Sequence, residues 1–267
     1  MFLTKKSLQK ILLVTAVYFV LGSACILLFR LLSSMGLEGN VLLVLGIITY
    51  LLCPIVFFGG RYAEGEGKLI NLGNKWVRKE LKPAEFIKHY EQLREAEELV
   101  VNRPSVDALR VAVTAYDLLG DREKALETVD EMICIASEKK KNMAKILKAS
   151  LLFSYGEVQA ADMLFSEVQT QTLDMICVAL SDAILKSDRA MALGDYKTVE
   201  AYCLKTLSRP FPKPDKIDML VCNYQLAKAY ENLGEADKAI THYQYCADFG
   251  GETEMKSVSA EKLRSIS

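Results

Sequence analysis

Histidine is scarce in this 267-residue chain: there are two, tryptophan occurs once, and none of the seven cysteines belongs to a C-x-x-C pair. His89 and His242 have no Cys, Asp or Glu at ligand spacing on a matched partner segment, so the chain lacks a zinc signature. A phosphate loop is missing too. In GEGK at 65–68, Tyr62 stands where the motif needs its first Gly, and Leu69 replaces the Ser or Thr. There is no excess of positive charge. Four of the 33 Lys and Arg and one of the 34 Asp and Glu precede residue 61, which leaves 29 against 33 and no electrostatic footprint for nucleic acid. Proline is rare, and three of the six fall in RPFPKPD at 209–215, which reads as a loop. Strand-like alternation is absent. Asp and Glu are common but spread along helical segments, with no pairing that points to acid–base work. The expectation is a protein that is not an enzyme and has no cofactor and no metal.

What the chain has in quantity is apolar sequence, and it is concentrated. Residues 11–29 form a run of 19 without a charge and residues 41–58 another of 18. As helices, these runs reach about 27–29 Å, the thickness of a bilayer's hydrocarbon core. A pair of buried core helices would show a polar face over such a length, and these do not. The intervening RLLSSMGLEGN (30–40) is short enough to join two spans, about 8–32 and 40–59, into a hairpin, with Pro54 placed to kink the second. Lys5, Lys6 and Lys10 precede the first span; Arg61, Lys68, Lys75, Arg78 and Lys79 follow the second, and Arg30 alone lies in the turn. The positive-inside rule places both termini in the cytoplasm, at the cell membrane if the source is bacterial. A cleaved leader fits poorly, because the first run exceeds the usual apolar core and a second follows. Near LGSAC, Gly22 stands where a lipoprotein-type site needs Leu. Free thiols agree with a reducing compartment, and Cys134, Cys177, Cys203, Cys222 and Cys246 fall at helical positions suited to a small packed side chain.

Beyond residue 60, Ala, Leu, Glu and Lys dominate and apolar residues recur at three and four, an all-helical pattern. A longer period is laid over it. Gly120, Gly156, Gly194 and Gly234 each follow an apolar helical stretch, at spacings of 36, 38 and 40. A small residue lies seven before each (Val113, Ala149, Ser187, Ala227) and another five after (Ala125, Ala161, Val199, Ala239). Four further on come Val129, Phe165, Cys203 and Tyr243. Gly permits a sharp turn between paired helices, the small residues let the pair cross closely, and the third set fills the space before the next pair.

This pattern resembles the tetratricopeptide repeat (TPR) family over about residues 105–248. In the last unit Leu226, Ala227, Tyr230, Ala239 and Tyr243 fall on the family's Leu, Gly, Tyr, Ala and Phe positions. The first unit matches through Tyr116, Gly120 and Ala125. The middle two are looser, with Lys148 and Lys186 where the family prefers Leu, and no unit has the family's Trp or closing Pro in place. The resemblance implies an all-α fold: a transmembrane hairpin (1–60), a juxtamembrane linker and capping helix (61–104), a right-handed TPR-like α-solenoid of about four helix pairs (105–250), and a C-terminal cap helix (251–267). Trp76 has two readings, at the lipid interface beside Arg78 and Lys79 or in the core of the cap helix.

TPR arrays bind proteins along a concave groove lined by their first helices. Counted from the repeat phase, the groove candidates are Arg110, Thr114 and Asp117; Ile146, Ser150 and Phe153; Ile184, Asp188 and Met191; and Tyr224, Lys228 and Glu231. Ile146 and Ile184 suit the filling of the inner curve equally well. Some family members grip acidic chaperone tails with Lys and Asn. Here Arg110, Thr114, Leu147, Ser181 and Leu185 occupy those positions, and no useful affinity for such tails is expected. The functional expectation is a membrane-anchored adaptor or scaffold that takes a protein partner, a peptide or helix with an apolar stripe, at the cytoplasmic face. One alternative is a structural subunit assembled through its hairpin; another is an enzyme with an unrecognised site.

Overall fold

A computed structural model describes residues 68–95, 104–168 and 185–266, together with Ser23, Arg30 and Ser34. The two expected spans lie outside the described residues except for Ser23 and Arg30, which are helical and exposed. Among the described residues no helix is long and apolar enough to cross a membrane. The chain divides into two compact units, Met1–Glu64 and Gly65–Ser267.

Every regular element described in the second unit is helical. In chain order these are α1 (Lys68–Leu72), which continues as a π-helical turn (Gly73–Lys79), then α2 (Pro83–Glu95), α3 (Val106–Leu118), α4 (Arg122–Ile135), α5 (Glu138–Ser154) and α6 (Val158–Ser166). After them come α7, described over 185–192, then α8 (Tyr196–Leu207), α9 (Lys216–Leu233), α10 (Ala236–Phe249) and α11 (Glu254–Ile266). From α2 to α6, and again from α8 to α11, each helix packs on its chain neighbours.

The four periodic glycines end α3, α5, α7 and α9 with φ of +77°, +85°, +75° and +75°. The turns close identically. The amide of the following residue donates to the carbonyl five before it: Asp121 to Tyr116, Glu157 to Leu152, Asp195 to Ala190 and Glu235 to Tyr230. A residue with a Cβ is strained in this left-handed conformation, which is why Gly recurs there.

The small residues flanking those turns are interior. Val113, Ala149, Ala227, Ala125, Ala161 and Val199 are fully buried, and Ser187 and Ala239 nearly so. In the last pair Leu226, Ala227, Tyr230, Ala239 and Tyr243 share one cluster with Val199 and Cys203. At the next position Val129, Cys203 and Tyr243 are buried, while Phe165 is half-buried against the cluster of Ile146, Ala149, Leu152 and Phe153. α2 opens with Pro83 at its first position, where the missing N–H costs nothing. Trp76, in the π-helical turn, packs against the core of α2–α5 and meets the His89 ring edge-on at 6.0 Å. Cys203, Cys222 and Cys246 are buried as expected, but Cys134 is exposed, on the outer side of α4.

One arrangement has no counterpart in the repeat pattern: the two ends of the helical array meet. The Glu252 amide donates to the Leu81 carbonyl at 2.9 Å, and Arg78 pairs with Asp215 at 2.5 Å. Gly251 lies so close that a Cβ there would come within 2.4 Å of the Leu81 carbonyl oxygen. Leu81 itself has φ of +54°, a left-handed conformation unfavourable for a leucine. The Glu254 side chain reaches Gly120, and Met255 packs on the α2–α5 core.

Candidate functional site

The first helices of the pairs, α3, α5, α7 and α9, line one side of a cavity of about 890 Å³, and residues from α4, α8 and the start of α11 complete it. Eight of the groove candidates contribute: Thr114, Asp117, Ser150, Phe153, Asp188, Met191, Tyr224 and Lys228. Phe153 is only 2 % exposed, so it forms part of the wall's packing, while Met191 and Tyr224 are half-buried and present surface to the space. Arg110 is exposed and outside the cavity, Ile146 is buried in the α5–α6 core, and Ile184 lies outside the described residues. Glu231 also points elsewhere, accepting from Tyr243 and pairing with Lys262 of α11.

Polar side chains in the wall are linked from one helix pair to the next. Ser187 donates to Gln225 Oε1 at 2.6 Å, and the Cys203 thiol donates to the same oxygen at 3.2 Å. Gln225 Nε2 donates to Asp188 Oδ1 at 2.6 Å, and Ser150 Oγ donates to Asp188 Oδ2. Further along, the Tyr155 hydroxyl donates to Asp117 Oδ1 at 2.8 Å. Apart from the Cys203–Gln225 bond, these cross-links join residues 37 or 38 apart. Such separations are what stacking of one pair on the next produces when the sequence period is 36–40.

Charge in the cavity is uneven. Asp188 is 7 % exposed, and burial, with Asp117 adding like charge, pushes its carboxyl up to about 7. Burial also raises Asp117, against the pull of Tyr155 and of Arg122. Arg122 lies over the Tyr155 ring, 5.0 Å from its centroid, and Lys228 lies 5.6 Å from the Tyr224 centroid. Arg209 binds Asp218 at 3.3 Å. The two acids on the inner wall thus differ: Asp117 has a neighbouring guanidinium, whereas Asp188 is held by neutral donors.

No protein-family model, curated protein or solved structure matches the chain. The wall geometry therefore carries the functional reading.

Several lining residues escape the repeat phase. Gln225 and Leu147 lie nine before their glycines, one position off the row of candidates, and the helical arc facing the cavity is wide enough to include them. Glu254 and Met255 arrive because the array's ends meet, which no local period encodes. His242 is half-buried. Its Nδ1 is 2.8 Å from Asn223 Oδ1, it stacks on Tyr230 at 5.5 Å, and burial lowers its pKa. Among the described residues no group of three or more His, Cys, Asp and Glu is arranged to hold a metal ion.

Proposed function

We propose that the chain is a membrane-anchored, TPR-like adaptor. Two N-terminal spans hold it in the bilayer with both termini cytoplasmic, and a solenoid of helix pairs takes a protein segment in its concave cavity. The observation that carries the reading is the shared cavity wall of α3, α5, α7 and α9, cross-linked at one repeat's separation by Ser150–Asp188 and Ser187–Gln225. Recurrent left-handed turns at Gly120, Gly156, Gly194 and Gly234 support it from the backbone side. A mixed surface in which Met191 and Tyr224 lie beside polar groups suits an extended or helical segment with an apolar stripe. The chemistry of the wall is that of recognition, and the protein is not an enzyme in this reading.

The test is affinity capture with the full-length chain in detergent, wild type beside a Met191→Glu, Tyr224→Ala double variant with unchanged circular dichroism. Loss of specific partners in the variant is expected. An unchanged set would defeat the groove reading and favour a subunit assembled through its spans. The topology has its own test on a background cleared of reactive thiols. A cysteine introduced at Ser34 should react with an impermeant reagent from outside the cell and one at Ser267 should not; the reverse would overturn the charge argument.

A further inference from the structure

The buried acid of the cavity wall points to the kind of side chain a partner would present. Asp188 sits on α7, in the middle of the wall, with each carboxylate oxygen held by one neutral donor. A carboxylate offers about four lone-pair sites, so donors from a guest can still be accepted. Among the described residues no ion pair includes Asp188. Apart from Lys205, which makes no ion pair with Asp188, the charged groups sharing its cavity are otherwise engaged or of the same sign. Asp117 on α3 and Glu254 on α11 are acidic, Arg122 on α4 stacks on Tyr155, and Arg209 and Asp218 bind each other across the start of α9. Lys228 lies over Tyr224 and acts on Glu231; Lys205 on α8 completes the set. A buried carboxylate facing an open cavity without a countercharge is costly unless a cation arrives.

Building on the adaptor reading above, we infer that this cavity selects a partner segment carrying a lysine or arginine flanked by apolar residues, with the cation against Asp188 and the apolar neighbours against Met191 and Tyr224. The cavity's volume accommodates such a side chain with its flanking residues. The hydrogen-bond chain from Ser187 through Gln225 delivers a donor to Asp188, which partly offsets the burial that disfavours its ionised form. Because burial holds the empty carboxyl near 7, a cationic guest must displace a proton from a substantial fraction of molecules at neutral pH. Affinity for a cationic guest should therefore fall between pH 8 and pH 6, a window in which a lysine guest stays charged.

The experiment titrates full-length protein in detergent with three fluorescent, end-capped peptides, Ala-Leu-Lys-Leu-Ala and its Gln-centred and Glu-centred analogues. At pH 8 the Lys peptide should bind at least tenfold more tightly than the Gln peptide, and the advantage should shrink at pH 6. Asp188→Asn should abolish the preference for the Lys peptide over the Gln peptide. Should that variant fail to fold, the three-peptide comparison and its pH dependence in wild type decide the matter alone. Equal affinities for Lys and Gln peptides would overturn the cation inference and leave the groove reading intact. Preference for the Glu peptide would overturn it in favour of Lys205 and Lys228, which line the same cavity. Absence of binding by all three would defeat both the inference and the groove.

Discussion

The outer helix pairs, α3–α4 and α9–α10, and the inner pairs, α5–α6 and α7–α8, share one backbone plan and differ in what they bury. All four turn through a left-handed Gly with the same closing hydrogen bond. At the helix crossings the outer pairs use Val113 with Ala125 and Ala227 with Ala239, all apolar. In the inner region Ala149 and Ala161 are apolar too, but Ser187 takes the crossing position of α7, and Ser150 and Asp188 occupy the same row of successive pairs with Gln225 reaching in from α9. The backbone plan is imposed by steric rules that leave little choice, whereas the rows facing the cavity are free to vary once their neighbours satisfy them.

The comparison breaks most readily at the outer crossings. Ala227→Trp and Ala239→Trp should each destabilise the folded chain by about 1–3 kcal/mol or more, because nothing at a buried helix crossing can move aside for an indole. Met163→Trp, at a position 69 % exposed on α6, should leave the melting temperature unchanged. Neutral melting curves for both alanine variants would place those residues off the crossing and the register in error.

The inner region should answer to pH. Asp188 is raised from an ordinary 3.8 to about 7 by burial, so between those values the folded state holds a proton that the unfolded state has released. Stability from this group is present below about pH 4, declines as pH rises, and is lost above about 7. His242, whose pKa is lowered by burial, works in the opposite direction and gains stability as pH rises through its ordinary 6.5. The difference between wild type and Asp188→Asn isolates the acid: relative to wild type, the variant should melt progressively higher as pH goes from 5 to 8. A constant offset would mean that Asp188 is ionised throughout.

The turns themselves supply a smaller effect. Gly156 and Gly234 have no neighbour near an added Cβ, so alanine there meets only the left-handed backbone strain, about 1–2 kcal/mol. Gly120→Ala carries the same strain and must also move the Glu254 side chain, which would stand 2.6 Å from the new carbon. Equal melting temperatures for Gly120→Ala and Gly234→Ala would indicate that Glu254 swings away freely, and that the contact between the array's ends is loose at this point.

Legibility in the sequence divides along the same line. The glycine period, the small crossing residues and the pairing of helices are local or nearest-neighbour properties, and Tyr230, Ala239 and Tyr243 announced them by spacing alone. Rows three, six and ten before each glycine reached Asp117, Ser150, Asp188 and Tyr224 on the cavity wall. Arg110 and Ile146 occupy the same nominal row as Tyr224 but are exposed and core-buried respectively, so the row does not face the cavity in every pair. The meeting of Leu81 with Gly251 and Glu252 depends on how the rotations between pairs accumulate along the array, and no window of sequence contains that sum. Gln225 was hidden for a different reason: a lone amide carries no signal until the acid it serves is known.

The finest contrast lies one residue past each glycine. Asp121 and Asp195 open α4 and α8 and accept from the amides of Lys124 and Thr198, each at 3.2 Å. Glu157 and Glu235 open α6 and α10 from nearly the same backbone angles and make no side-chain cap. The extra methylene carries the carboxylate past the amide it would need to reach, so the difference arises from side-chain length alone. Asp121→Ala should cost about 1 kcal/mol, read as a lower chemical midpoint, and Asp195→Ala should shift it in the same direction. Glu157→Ala and Glu235→Ala should shift it much less, since Glu157 offers only the weak benefit of negative charge near a helix start and Glu235 adds to that just an exposed ion pair with Lys238. If all four variants lose the same amount, the charge and not the cap stabilises these helix starts, and adding salt should then shrink every loss together.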